Sequence, residues 1–209
     1  MKNLYFVIPA LLWLSGCGQK SDETKQALSI LENAKEIGEN MEKEVEKAKD
    51  RRQERIDRGD TQAMHYEKLA EFLPEEIEGY EKDGEMEGNT LNMQGMSYST
   101  VSQSFENSNG DKIKITIMDY NAAENMYQGL MAMYSSGIEI DNTDEHGKGF
   151  KIGDDIQGWE VFKKKSKDSE IHAGIVSRFY VNIEAENQES TDFAKAILNQ
   201  LALDDMSEL

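Results

Sequence analysis

The chain has 209 residues and is strongly acidic, with 41 Asp and Glu residues against 23 Lys and Arg residues and a net charge of −18 at pH 7. Such a charge is repelled by phosphates and by anionic lipid headgroups, so nucleic acid is excluded as an expected partner. There is one cysteine, Cys17, so no disulfide can form within the chain and an exported protein of this sequence must be held together by its core.

The first residues have the pattern of a secretory signal. Lys2 precedes an uncharged, apolar run over residues 4–14. A helix of that length would reach about 17 Å, whereas the hydrocarbon core of a bilayer is ~30 Å thick. The run therefore cannot span a membrane, and residues 1–16 are predicted to be a signal peptide that is removed before folding.

The end of this signal, Leu14-Ser15-Gly16-Cys17, resembles the lipobox of bacterial lipoproteins: Leu, a small residue, Gly or Ala, then Cys. The resemblance implies cleavage between Gly16 and Cys17, a diacylglyceryl group on the Cys17 thiol, and an acyl chain such as palmitate on the new amino terminus. In that family, Asp directly after the cysteine retains the protein in the inner membrane. Gly18 stands there instead, which implies the periplasmic face of the outer membrane. An ordinary secretory signal with an incidental cysteine is the alternative.

Residues 17–23 are predicted to be a lipidated polar tether, and residues 24–58 one long charged helix without proline. Because its apolar stripe is narrow and interrupted, we interpret this helix as a solvated stalk. The alternative is a coiled coil, formed with itself or with a partner helix. Arg51, Arg52, Arg55 and Arg58 lie at its end, where the helix dipole favours cations.

Residues 61–209 are predicted to form a globular α+β domain. A short helix over residues 61–73 ends at Pro74, and the acidic stretch 75–89 is predicted to be a loop. Strands follow over residues 96–105 and 112–117, joined by a turn that contains Asn109-Gly110. Asn121 and Glu124 then form a capping box ahead of an apolar helix that ends by Gly137.

The remaining pattern is strand-like over residues 138–140, 148–152, 156–164, 170–176 and 179–185, and a closing helix begins at Ser190 or Thr191. Because these strands follow one another at hairpin length, we expect a mostly antiparallel sheet with helices packed on one face. The pattern resembles small exported α+β domains of unassigned function in other bacterial lipoproteins. That resemblance rests on Ile117-Met118-Asp119, Gly158-Trp159-Glu160 and Arg178-Phe179, and it implies no activity.

No motif in the sequence predicts catalysis. The chain contains no Gly-x-Ser-x-Gly elbow, no phosphate-binding loop and no His-Glu-x-x-His zinc motif, and a lipidated Cys17 cannot act as a nucleophile. His65, His146 and His172 lack the spacing of metal ligands. We therefore expect neither an enzyme nor a cofactor.

Two weak candidate sites remain. Met93 and Met96 carry thioethers, which suit Cu(I), although methionine is also an adaptable core residue. Arg178, Trp159 and Tyr98 are candidates for binding an anionic ligand, with a buried or edge ion pair as the alternative for Arg178.

Together these features predict a lipid-anchored cell-envelope protein that acts as a non-catalytic binding or structural accessory. We expect membrane attachment through Cys17 and an envelope protein partner, or self-association, through residues 24–58. A periplasmic ligand-binding or metal-binding module is the first alternative, and an unrecognised hydrolase is the second.

Overall fold

The computed structural model describes residues 20–131 and 139–209. The predicted signal peptide, the lipobox with its cleavage site at Gly16 and Cys17, and Gly18 lie outside these residues. The chain divides into two compact units, Met1–Glu39 and Asn40–Leu209. No helix within the described residues is both long enough and apolar enough to cross a membrane.

Helix α1 covers Lys20–Asp57. Its residues from Asn40 onward belong to the second unit, where Ala48 and Arg55 are 4% and 3% exposed. The last turns of α1 are therefore packed and not solvated on all sides. This unit begins about 20 residues before the predicted domain limit at residue 61.

The second unit is built on one eight-stranded antiparallel sheet, which confirms the α+β class and the antiparallel pairing. Its strand order is β1-β2-β3-β8-β7-β6-β5-β4. The strands are β1 Tyr80–Met93, β2 Met96–Asn107, β3 Lys112–Asp119, β4 Glu139–Asp141, β5 Glu145–Ile152, β6 Ile156–Lys163, β7 Asp168–Ile175 and β8 Phe179–Ala185.

The predicted acidic loop over residues 75–89 is wrong from Tyr80 onward, because this stretch begins edge strand β1. The strand shows no alternation of buried and exposed side chains, so the sequence carries no period-2 signal. Pairing with β2 makes it a strand, with a bulge between Asp83 and Glu87. The Tyr66 ring packs directly against Gly88 of this strand, where a Cβ would lie 2.2 Å from Cδ2 of Tyr66.

One face of the sheet, the main face, carries the larger core. Alternate residues of the central strands point into it, among them Val101, Ile115, Ile171 and Val181, each 0% exposed. Short helices cover this face: α2 Tyr66–Leu69, a 3-10 turn Ala70–Phe72, α4 Asp192–Leu198 and α5 Leu203–Ser207. The helix predicted over residues 61–73 is therefore shorter than expected.

The opposite face, the Tyr127 face, is covered in part by α3, Glu124–Met131. Tyr127 and Met131 pack there with Tyr120 and Tyr180, and a Cβ on Gly174 would lie 2.3 Å from the Tyr127 hydroxyl. The expectation that helices pack on one face is thus corrected: they cover both. The physical reason is the aromatic and thioether surface of this second face, which α3 shields from water.

Candidate functional site

Arg178, a predicted ligand-binding residue, directly precedes β8 and is 2% exposed. Its Nε and Nη2 donate to the Asp119 carboxylate at 3.0 and 2.8 Å, and Nη1 donates to Asp60 Oδ2 at 2.7 Å. The guanidinium also lies 4.6 Å from the centre of the Phe179 ring. Two carboxylates thus pair with this cation, which is the ion-pair alternative given for Arg178.

Asp119 is 0% exposed and its hydrogen-bonding capacity is filled. Besides the two bonds from Arg178, it accepts the backbone N–H groups of Met64 and Asn121 at 2.9 and 2.8 Å. Four donors thus converge on this one buried side chain. Asp119 joins the end of β3 to Arg178, which directly precedes β8.

Asn121 does not form the predicted capping box, because its side chain is engaged with residues far along the chain. Its Oδ1 accepts from Arg55 Nε at 2.8 Å and from Arg52 Nη1 at 3.1 Å. Its Nδ2 donates to Asp60 Oδ1 at 2.6 Å and to the Gln62 carbonyl at 2.9 Å. This side chain connects helix α1 to the sheet.

We call Arg55, Asp60, Asp119, Asn121 and Arg178 the Arg178 cluster. Burial, and after it the charges of Arg178 and Arg52, lower the pKa of Arg55 to about 10. The basic end of α1 therefore has a role beyond the helix dipole: it docks the helix onto the domain. Other polar contacts extend this docking, including Arg51 with Asp155.

Trp159 and Tyr98 lie on the Tyr127 face and not beside the Arg178 guanidinium. Trp159 is 8% exposed and packs over Gly147, where a Cβ would lie 2.9 Å from Cζ2 of the indole. Tyr98 packs against Tyr120, with ring centres 6.3 Å apart. The three candidate ligand-binding residues therefore occupy three separate environments and do not form one pocket.

The methionine candidates flank the tight turn between β1 and β2, where Met93 pairs with Met96. Met93 is 55% exposed, whereas Met96 packs against the aromatic residues of the Tyr127 face. Within residues 20–131 and 139–209, no group of three or more His, Cys, Asp or Glu side chains is placed to hold a metal ion.

A chain of titratable side chains on the Tyr127 face was missed by the sequence analysis. The Lys163 ammonium pairs with Glu170, the Glu170 carboxylate lies 3.4 Å from His172 Nε2, and His172 Nδ1 lies 2.7 Å from the Tyr180 hydroxyl. If Nε2 donates to Glu170, Nδ1 accepts from the tyrosine. We call these four residues the His172 chain.

The electrostatics of the His172 chain are set by Glu170. Its hydrogen bond with His172, opposed by partial burial and reinforced by Lys163, lowers the pKa of Glu170 to about 2. This carboxylate is ionised at neutral pH, so it can orient an imidazole but cannot supply a proton. The signal in the sequence was Glu170 and His172 at positions i and i+2 of one strand, which places them on one face.

No protein-family model matches this chain, and comparisons with curated proteins and with solved structures find no match.

Proposed function

We propose that this chain is a lipid-anchored protein of the bacterial cell envelope that acts as a non-catalytic binding or structural accessory. The observation that carries the proposal is the segment Leu14-Ser15-Gly16-Cys17, which fits a lipobox at every position. Cys17 would hold the mature chain on the membrane, with the outer membrane as its location because Gly18 follows the cysteine.

The geometry supports an accessory role through the way α1 meets the sheet. Within the unit Asn40–Leu209, Arg52 and Arg55 of α1 bind Asn121 through one partly buried and one buried hydrogen bond. The last turns of α1 are thereby part of the folded domain. The Arg178 guanidinium is engaged by the carboxylates of Asp119 and Asp60, which favours a structural over a catalytic use of this charge.

The test is a Cys17→Ser variant of the full chain, produced in a bacterium with two membranes. We expect an uncut precursor that incorporates no palmitate label. Ser21→Ala, four residues further on, is the matched control and should be processed and labelled like the natural chain. Normal cleavage and detergent partition of Cys17→Ser would overturn the anchor.

The same experiment includes a location variant. Gly18→Asp should be lipidated as usual but should move from the outer to the inner membrane fraction on a sucrose gradient. An unchanged distribution would contradict the outer-membrane assignment while leaving lipidation intact.

A further inference from the structure

Strand β1 is an open edge of the sheet. In the described part of the chain its backbone pairs with β2, and with Ile77 through one isolated bridge to Tyr80. It is 14 residues long, whereas the strand at the other edge, β4, has three. Every second N–H and C=O of an edge strand points away from the sheet and can pair with another chain.

The register identifies which groups point outward. Met93 and Met96 close a two-residue turn, so they form the hydrogen-bonded pair beside it. Because hydrogen-bonded and non-hydrogen-bonded pairs alternate along an antiparallel ladder, the N–H groups of Asn92, Thr90 and Gly88 face away from β2. The part of β1 after the bulge, residues 87–93, therefore has a row of outward-facing backbone donors and acceptors, spaced so that another strand can pair with them.

The chemistry of this edge selects its partner. Residues 75–87 contain seven carboxylates and one lysine, and within the described residues only Asp83 of the seven takes part in an ion pair, with Lys112 at 2.7 Å. A groove of about 660 Å³ is lined both by residues 79–83, at the start of β1, and by residues 106–108, at the end of β2. Pairing with a second copy of β1 would bring like charges together, whereas a basic strand would neutralise them.

We propose that β1 binds a lysine-rich or arginine-rich extended segment of another envelope protein, which adds to the sheet as a ninth strand. Backbone hydrogen bonds to residues 88–92 would supply affinity, and basic side chains beyond this paired stretch would meet Glu81, Glu85 and Glu87. This inference rests on the binding role proposed above and names its partner class. It does not depend on the lipid.

The first test compares two peptides against the full chain in detergent at physiological salt. The probe is a 12-residue peptide of alternating Lys and Thr, and its control is the same peptide N-methylated at every residue, which keeps the charge but removes the backbone donors. Fluorescence anisotropy should show at least tenfold tighter binding of the unmodified peptide. Equal binding of the two peptides would mean that only non-specific charge attraction is involved, and this would overturn the proposal. The absence of binding by the unmodified peptide would also overturn it.

The second test locates the site. Glu81→Gln/Glu85→Gln/Glu87→Gln should weaken peptide binding at least tenfold, whereas Glu42→Gln/Glu46→Gln/Glu54→Gln, which removes three exposed carboxylates from α1, should change it less than twofold. Equal losses in both variants would refute an edge site. A natural chain that binds no peptide, together with an edge variant that dimerises, would show that the carboxylates only keep the edge unpaired. Either failure leaves the Cys17→Ser result unaffected.

Discussion

The Glu170 carboxylate is held between Lys163 on one neighbouring strand and His172 two positions along its own strand. Its side chain is 20% exposed, so solvent screens part of each interaction. A carboxylate in this position favours the folded state only while it is ionised.

We therefore expect Glu170 to affect stability in a defined pH window. The folded pKa is lowered from 4.5 to about 2, so its contribution is present above pH ~4.5 and is lost as the pH falls toward 2. Glu170→Gln should lower the free energy of unfolding by about 1–2 kcal/mol at neutral pH, after allowance for screening. Below pH 4.5, the free energy of unfolding of the variant should fall less steeply with pH than that of the natural chain. Urea titrations between pH 2 and 7 measure this.

Glu71→Gln is the control, because Glu71 is exposed on the 3-10 turn. Its curve should follow that of the natural chain within about 0.5 kcal/mol. Coincident curves for Glu170→Gln and the natural chain would show that the contacts of the Glu170 carboxylate do not stabilise the fold.

At this scale the sequence was informative only over short distances. The placement of Glu170 and His172 on one face follows from strand alternation, but the contact with Tyr180 requires the β7 to β8 register. The choice of Asp60 and Asp119 as partners of Arg178, among 41 acidic residues, depends on tertiary structure. Asn121 was misread because a local cap and a distant arginine pair compete for the same side chain.

At the scale of elements, strands with one buried face were predicted well, and β8 was predicted at its observed bounds, Phe179–Ala185. Strand β1 was missed because an edge strand with solvent on most sides needs no hydrophobic alternation. The second helical face was missed because Tyr98, Met118 and Tyr180 are amphipathic or flexible residues that occur at the surface as well as in cores.

Two glycines test how closely the elements pack. A Cβ on Gly158 of β6 would lie 2.1 Å from the backbone oxygen of His172 and 2.7 Å from Cζ of Phe150. Because backbone cannot move aside cheaply, Gly158→Ala should destabilise the domain by about 3 kcal/mol. Thermal or urea unfolding measures the loss.

Gly129→Ala is the matched substitution in an open position. Gly129 is exposed on α3, and among the described residues nothing beyond its chain neighbours and its own helix backbone lies within 4 Å of its would-be Cβ, so alanine should stabilise the helix by about 0.5–1 kcal/mol. If both substitutions gave the same result, the β6 to β7 packing described above would be incorrect.

At the scale of the whole molecule, the second unit begins at Asn40, so it includes the last turns of α1. We expect a fragment of residues 40–209 to unfold cooperatively with the midpoint of the full chain. A fragment of residues 61–209 lacks Arg52, Arg55 and Asp60, which leaves Asn121 and Arg178 short of partners. It should lose about 3 kcal/mol or more.

Differential scanning calorimetry and urea unfolding of the two fragments decide this. Equal stability of both would mean that α1 is a spacer in which Arg52 and Arg55 contribute nothing to the fold. The last turns of α1 contact the domain through long basic side chains, and such residues are ordinarily read as solvated.

The strand order has a consequence for how the chain folds. Within the described strands, each neighbouring pair is joined by a short connection except β3 and β8, where Asp119 pairs with Phe179 and Ile113 with Ala185. Two meanders, β1 to β3 and β4 to β8, can therefore form from contacts close in sequence, and a single large loop closure joins them. We therefore expect the pairing of β3 with β8 to be the step at which the chain commits to its native topology, and the bond between Asp119 and Arg178 lies at that junction.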